Sequence, residues 1–276
     1  MKARKRFGQH FLVNGRIADR IVVSADLTPG DTVLEIGPGK GILTERLLEC
    51  TPHVTAVEID RDLVDELAGK FGGRSGFRLI AGDILAMDLP ELFRDAPGRI
   101  RVVSNIPYNI SSPIVELLIR NRALVSQAVL MVQREVARRL SARPGSRDFG
   151  LLTLNLGLVA RTRTLFNVKP GSFSPPPEVM SSAVFIEFDP EYRFPLRNEA
   201  LFRAITGAAF RQRRKMIRNT LVPFLVSLGM TEPEAVRILL DAGVGPELRP
   251  ERISVEEFVR ISDAADGHGG GRTFGR

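Results

Sequence analysis

Apolar positions in the first two thirds of the chain fall into short β-branched runs, each followed by a turn and then by a stretch of helical periodicity. Runs at 32–36, 54–57, 77–81, 102–104 and 127–132 predict strands, and 15–24, 42–48 and 114–119 predict helices among them. Ser112-Pro113 reads as an N-cap followed by proline in the first turn of that last helix. Such alternation belongs to a mostly parallel sheet with helices on both faces. Further on, 151–159 predicts a buried helix, and 165–168 with 182–188 predicts a closing hairpin around the loop 170–177, stiffened by Pro175, Pro176 and Pro177.

Around Asp189-Pro190 the alternation gives way to helix alone, at 198–221, 232–240 and 255–264, the last two capped by Thr231 and Ser254. The expected organisation is therefore an α/β domain over 1–190, a small all-helical domain over 191–265, and a disordered Gly/His-rich tail over 266–276.

Composition narrows the function. At 276 residues with 43% hydrophobic and 26% charged positions, the chain has ample material for a core. No apolar run approaches the roughly 18 residues that span a bilayer, and the basic start Lys2, Arg4, Lys5, Arg6 is not followed by a signal-like apolar stretch. A cytoplasmic chain without a membrane role is expected. The net charge of +7, carried largely by arginine, points to an anionic partner. Cys50 stands alone, so no internal disulfide is possible, and His10, His53 and His268 are too isolated for a metal spacing.

Chemistry-bearing residues gather at the ends of the predicted strands. The run 32–36 leads into Gly37-Pro38-Gly39-Lys40-Gly41, where glycines admit a ligand close to the backbone and the following helix offers free N–H groups. Glu58 ends the next strand, placed to take the two hydroxyls of a ribose. Asp83 follows a third strand and can accept from an adenine amine. The glycines lack the G-x-G-x-x-G spacing of a pyrophosphate site, and Glu35 at the strand end favours a cation such as the sulfonium of S-adenosylmethionine.

The fourth strand end carries Asn105-Ile106-Pro107-Tyr108. Asn105 offers a carbonyl acceptor, Pro107 biases Ile106 toward an extended conformation, and Tyr108 can stack on a flat ring. Taken alone, Asn-x-Pro-Tyr is equally a turn. Beside Glu58 and Asp83 it reads as the place where an amine-bearing base is held.

Two basic stretches suit RNA phosphates. Five arginines, Arg134, Arg138, Arg139, Arg143 and Arg147, fall in 134–147 at mostly helical spacing. Within 198–221, Arg211, Arg214, Lys215 and Arg218 would share one helix face, with Phe210, Ile217 and Leu221 on another. The basic arm is expected to act as a phosphate clamp, with 9–12 as a lid over a small molecule.

Several of these pieces, Lys5 to Leu12, Val33 to Gly41, Val57 to Asp60, Gly82-Asp83, Asn105 to Ser111, Gln133 to Leu140, Phe173 to Pro177 and Ala209 to Asn219, together resemble the small-subunit (16S) rRNA adenine N6,N6-dimethyltransferases of the KsgA type. The resemblance implies a Rossmann-like class I methyltransferase sheet with a small helical C-terminal domain, acting as a monomer on small ribosomal subunit rRNA. It implies that His10, Leu12, Gly37, Glu58, Asp83 and Asn105 contact S-adenosylmethionine, and that Asn105, Pro107 and Tyr108 surround the target adenine with Phe173 as a second aromatic wall. The implied product is N6,N6-dimethyladenosine at two adjacent positions near the 3′ end of that rRNA, made during ribosome biogenesis. Position 10 is His where the family commonly has Asn. The N-terminal pieces are shared with the erythromycin-resistance methyltransferases of the large subunit, which remain an alternative, as does an rRNA-binding assembly factor with incidental catalysis.

Overall fold

A computed structural model of the chain describes residues 10–268. The basic arm with Gln9, and positions 269–276 of the expected tail, lie outside those residues. The elements run β1 (Phe11–Leu12), α1 (Gly15–Val23), β2 (Val33–Ile36), α2 (Ile42–Cys50), β3 (Val54–Glu58), α3 (Arg61–Phe71), β4 (Phe77–Ala81), α4 (Leu89–Leu92), β5 (Ile100–Asn105) and α5 (Ser111–Arg120). They continue as β6 (Val125–Gln133), α6 (Arg134–Leu140), α7 (Leu151–Val159), β7 (Ala160–Val168), β8 (Phe173–Ser174) and β9 (Ser181–Phe188). The last four are α8 (Glu199–Phe210), α9 (Arg218–Ser227), α10 (Glu232–Asp241) and α11 (Val255–His268).

Seven strands form one sheet in the order β4-β3-β2-β5-β6-β9-β7, and β1 pairs with β8 in a separate ribbon. The first five strands are parallel, while β9 runs antiparallel to both β6 and β7. This is the class I methyltransferase sheet. Every residue of β2 and β3 is buried, which is why they read as unbroken runs: a parallel strand covered on both faces has no polar side to alternate with. Val33, Leu47, Val54, Val103, Val129 and Met131 belong to the core cluster on which α1 and α2 pack. No described helix is long and apolar enough to cross a membrane.

The chain divides into two compact units, residues up to Ser141 with Val159–Glu191, and Ala142–Leu158 with the residues from Tyr192 onward. A single expected boundary near Asp189-Pro190 puts 142–158 with the sheet; by contacts that segment sorts with the C-terminal helices. The reason is visible in unit two, where Gly145 N donates to Glu251 O at 2.7 Å and Arg213 Nη2 donates to the carbonyls of Arg147 and Phe149. Within that unit α8 packs on α9 and α11, and α10 packs on α9 and α11.

Three local expectations need correction. Helix α5 starts at Ser111 after a single turn at Tyr108–Ile110, so Ser112 is not its cap; Pro113 still sits in the first turn, where a missing N–H goes unused. The helix expected over 198–221 breaks after Phe210 and resumes at Arg218. Ile217, fully buried, donates its N–H to Leu248 O at 2.6 Å and Arg218 donates to Pro246 O at 3.1 Å, bonds that replace the helical ladder. Arg211, Arg214, Lys215 and Arg218 therefore do not share a helix face. Finally, α11 continues through Asp266 to His268, overlapping the expected tail.

Candidate active site

Chain order reverses between β2 and β5: β3 and β4 lie on one side of that pair, β6 on the other. Open α/β sheets part at such a point and bind ligands at the carboxyl ends of the strands. Here the ladder joins only Val33 to Arg101 and Leu34 to Val102. Beyond it the buried Ser104 side chain takes over, its Oγ accepting from Ile36 N at 2.6 Å and donating to Ile36 O at 2.9 Å.

A cleft of about 680 Å³, its open mouth included, lies over these ends. Its floor is Gly37-Pro38-Gly39 and its sides are Glu35, Glu58, Asn105 to Tyr108 and the segment His10 to Leu12. Gly39 and Gly41 have φ of +59° and +79°. A Cβ on Gly39 would stand 2.9 Å from the Phe11 ring, and one on Gly41 2.5 Å from the Phe71 ring, so both close approach and backbone conformation demand glycine.

Both carboxylates of the cleft are perturbed. Glu58 Oε1 accepts from the N–H groups of Ile59 and Asp60 and Oε2 from Gly39, yet burial still raises its pKa. Glu35 accepts from Thr44 Oγ1 at 2.6 Å, and burial pushes it up to about 8. Burial thus favours the neutral form of the acid expected to meet a cation.

Asn105 donates Nδ2 to the His10 carbonyl at 3.2 Å, which leaves Oδ1 as its acceptor in the cleft. Tyr108 bonds through its hydroxyl to Ser181 Oγ at 2.5 Å, and burial raises its pKa, so the phenol is neutral. The His10 ring lies 5.3 Å from the Tyr108 ring, tilted by 31°, and its Nδ1 is 2.9 Å from Pro175 O.

His10, Leu12, Gly37, Glu58, Asn105, Pro107 and Tyr108 are brought together as expected from the strand ends. Two residues are not. Asp83 is exposed and caps its own turn, accepting from Leu85 N at 2.9 Å, although Gly82 N holds it beside β3 through Glu58 O. Phe173 is 3% exposed and packs into the sheet's core cluster opposite Leu12, because the β1–β8 ribbon turns it inward; the ring beside Tyr108 is His10. Sequence reasoning missed Ser104, Thr44 and Ser181, whose only signal was a hydroxyl inside or beside an apolar run.

The ribosomal RNA adenine dimethylase family matches residues 1–266 of the chain. The chain belongs to that family. Curated relatives include "Ribosomal RNA small subunit methyltransferase A" from Pseudomonas fluorescens, 44% identical over 95% of this chain and 93% of the relative. The protein of the same name from Parasynechococcus marenigrum is 40% identical over 100% of this chain and 94% of the relative. Among solved structures, a dimethyladenosine transferase from Plasmodium falciparum aligns with TM-score 0.75 and 27% identity over 91% of this chain and 96% of its own. The 23S rRNA methyltransferase ErmE aligns with TM-score 0.71 and 27% identity over 93% and 99%. As a ribosomal RNA adenine dimethylase the chain is an enzyme acting on RNA, and its basic surfaces carry the charge opposite to that polyanion.

In this dimethylase those surfaces differ from the expected helical tracks. Helix α6 ends at Leu140, so only Arg134, Arg138 and Arg139 of the first track are helical. Arg134 starts the helix, its N–H donating to Met180 O at 2.9 Å. Arg143 and Arg147 belong to unit two, where Arg213 ties their loop to the exposed turn holding Arg211, Arg214 and Lys215. The loop that receives the N–H groups of Ile217 and Arg218 adds Arg249 and Arg252, which share a hollow with Arg147. Three loops of unit two, which also carry Glu247 and Glu251 at that hollow, thus bring these basic residues together as one platform.

Proposed function

We propose that this dimethylase transfers methyl groups from S-adenosylmethionine to N6 of two adjacent adenosines near the 3′ end of small-subunit rRNA, during ribosome assembly. The observation that carries the proposal is one cleft with a nucleoside-type half, the glycine turn with Glu58, and a base-holding half, Asn105 to Tyr108. The identity to proteins named for the small subunit supports the choice of substrate.

The glycine turn fits the donor because Gly37 and Gly39 line the cleft without side chains, and a Cβ at Gly39 would meet the Phe11 ring that lines it too. Gly37, Glu58, Leu12 and His10 would hold S-adenosylmethionine, which supplies a methyl group on a positively charged sulfur. An adenine amine is a weak nucleophile, its lone pair being shared with the ring. Asn105 Oδ1 and the Ile106 carbonyl accept its two N–H bonds, which favours a pyramidal nitrogen with the lone pair free for the methyl carbon. Tyr108 stacks on the extruded base and orients it. After transfer the surplus proton passes to water, so no side chain need act as a base. Arg134 and Arg138, and separately the Arg211, Arg214, Lys215 and Arg218 region, contact rRNA phosphates.

The large-subunit reading is kept for one reason, the likeness to ErmE over nearly the whole chain. Incubation with labelled S-adenosylmethionine and separated, unmodified small and large subunits distinguishes the two. Label in small-subunit rRNA as dimethyladenosine supports the proposal; label confined to the large subunit overturns it. Tyr108→Ala should lower kcat far more than cofactor affinity, and equal losses would remove the stacking role.

A further inference from the structure

Ser181 opens β9 and is fully buried, paired by backbone with Gln133 of β6 and Val168 of β7. Because β9 is antiparallel, its first residue lies at the edge where the parallel strands end: Asn105 pairs with Met131, and Met131 with Ala183. A side chain at that position reaches the catalytic corner. Strand alternation sends Ser181 and Ser182 to opposite faces. Ser182 Oγ donates to Asn167 Oδ1 on the adjoining strand, whereas Ser181 Oγ bonds with the Tyr108 hydroxyl at 2.5 Å.

An alcohol inside a sheet is unfavourable unless paired, and alanine would fill the place without that penalty. The hydroxyl therefore does something packing does not require. A tyrosine ring turns about two torsions; anchoring its far end to a fully paired strand restrains both. His10 also lies beside the ring, 5.3 Å away and next to the two-residue strand β1.

We propose that Ser181 is a positioning residue for methyl transfer, its hydrogen bond holding the Tyr108 ring at the angle against which the target adenine stacks. This rests on the reading of Tyr108 as the base platform. Both hydroxyls share the bond, so Tyr108→Phe and Ser181→Ala remove the same restraint from opposite ends while leaving the aromatic face in place.

The chain has two tyrosines and no tryptophan, so in a Tyr192→Phe background Tyr108 is the sole strong fluorophore. Ser181→Ala in that background should lower tyrosine fluorescence anisotropy. With unmodified small subunits it should reduce kcat about tenfold, the equivalent of about 1.4 kcal/mol, at unchanged affinity for S-adenosylmethionine. Tyr108→Phe should match that loss, the double variant should be no slower than either single, and Ser181→Thr should recover most of the rate. Unchanged anisotropy and kcat in Ser181→Ala, or fully additive losses in the double variant, overturn the proposal. Should Ser181→Ala fail to fold, Tyr108→Phe decides by kcat alone. Undiminished kcat in Tyr108→Ala would instead overturn the platform reading, while the anisotropy change would still report the tie.

Discussion

Replacing Ser104 by alanine should destabilise the sheet far more than the loss of one surface hydroxyl would. Ile36 and Ser104 are 2% and 0% exposed, and the β2–β5 ladder has already ended at Leu34 and Val102. Ser104 Oγ is the partner of both the N–H and the C=O of Ile36. Ser104→Ala leaves those two groups unpaired inside the sheet, at about 1–3 kcal/mol for each buried unsatisfied group. Taking about 3 kcal/mol together, and about 2–4 °C per kcal/mol for a chain of this size, the thermal midpoint should fall by about 6–12 °C. Ser182→Ala is the matched control, because it removes one buried hydroxyl bonded only to the Asn167 side chain and should cost about 1 kcal/mol. Circular dichroism melts of the two variants beside wild type are the measurement. Since Gly37 directly follows Ile36, Ser104→Ala should also weaken cofactor binding in titration calorimetry. A Ser104→Ala midpoint within about 2 °C of wild type, or no lower than that of Ser182→Ala, would refute the account of the sheet's parting.

Phe173→Ala should lose about 3–5 kcal/mol of stability, as for a buried phenylalanine, with the folded fraction still binding cofactor; unchanged denaturant stability with lost turnover would return Phe173 to the active site. Burial pushes the Glu35 carboxyl up to about 8 from an ordinary value of 4.5. Between those values the native state binds the proton that the unfolded state has released, so stability should be greatest below the lower value and fall by up to about 1.4 kcal/mol per pH unit until the upper one is passed. Glu35→Gln should flatten that decline in urea midpoints measured across the window, and an identical slope in the variant would exclude Glu35 as its source. Arg211→Ala, Arg214→Ala and Lys215→Ala should each reduce the slope of log affinity for rRNA against log salt by about 0.7–0.9; an unchanged slope in the triple variant would take the platform out of the RNA interface.

Much of the α/β unit was legible because its information is local. A strand buried on both faces must be a continuous apolar run, and β2 and β3 are such runs. Glycines that turn with positive φ beside a ring, and polar residues closing consecutive parallel strands, likewise announce themselves without knowledge of their neighbours. Thus the cleft's floor, Glu58 and the Asn105–Tyr108 corner could be read in advance.

Partners far apart along the chain could not. Periodicity carries α8 straight through 211–217, but backbone donors taken by the carbonyls of Pro246 and Leu248 end the helix and turn a striped face into a platform of loops. Phe173 looks available among prolines, and a two-residue ribbon with β1 buries it. Ser104 and Ser181 pass as ordinary small residues until the splayed β2–β5 pair and the antiparallel β9 bring Ile36 and Tyr108 to them. Local pattern reports which surfaces want to leave water; a buried polar bond depends on where the last unpaired donor falls, and that is known only once the strands are in register.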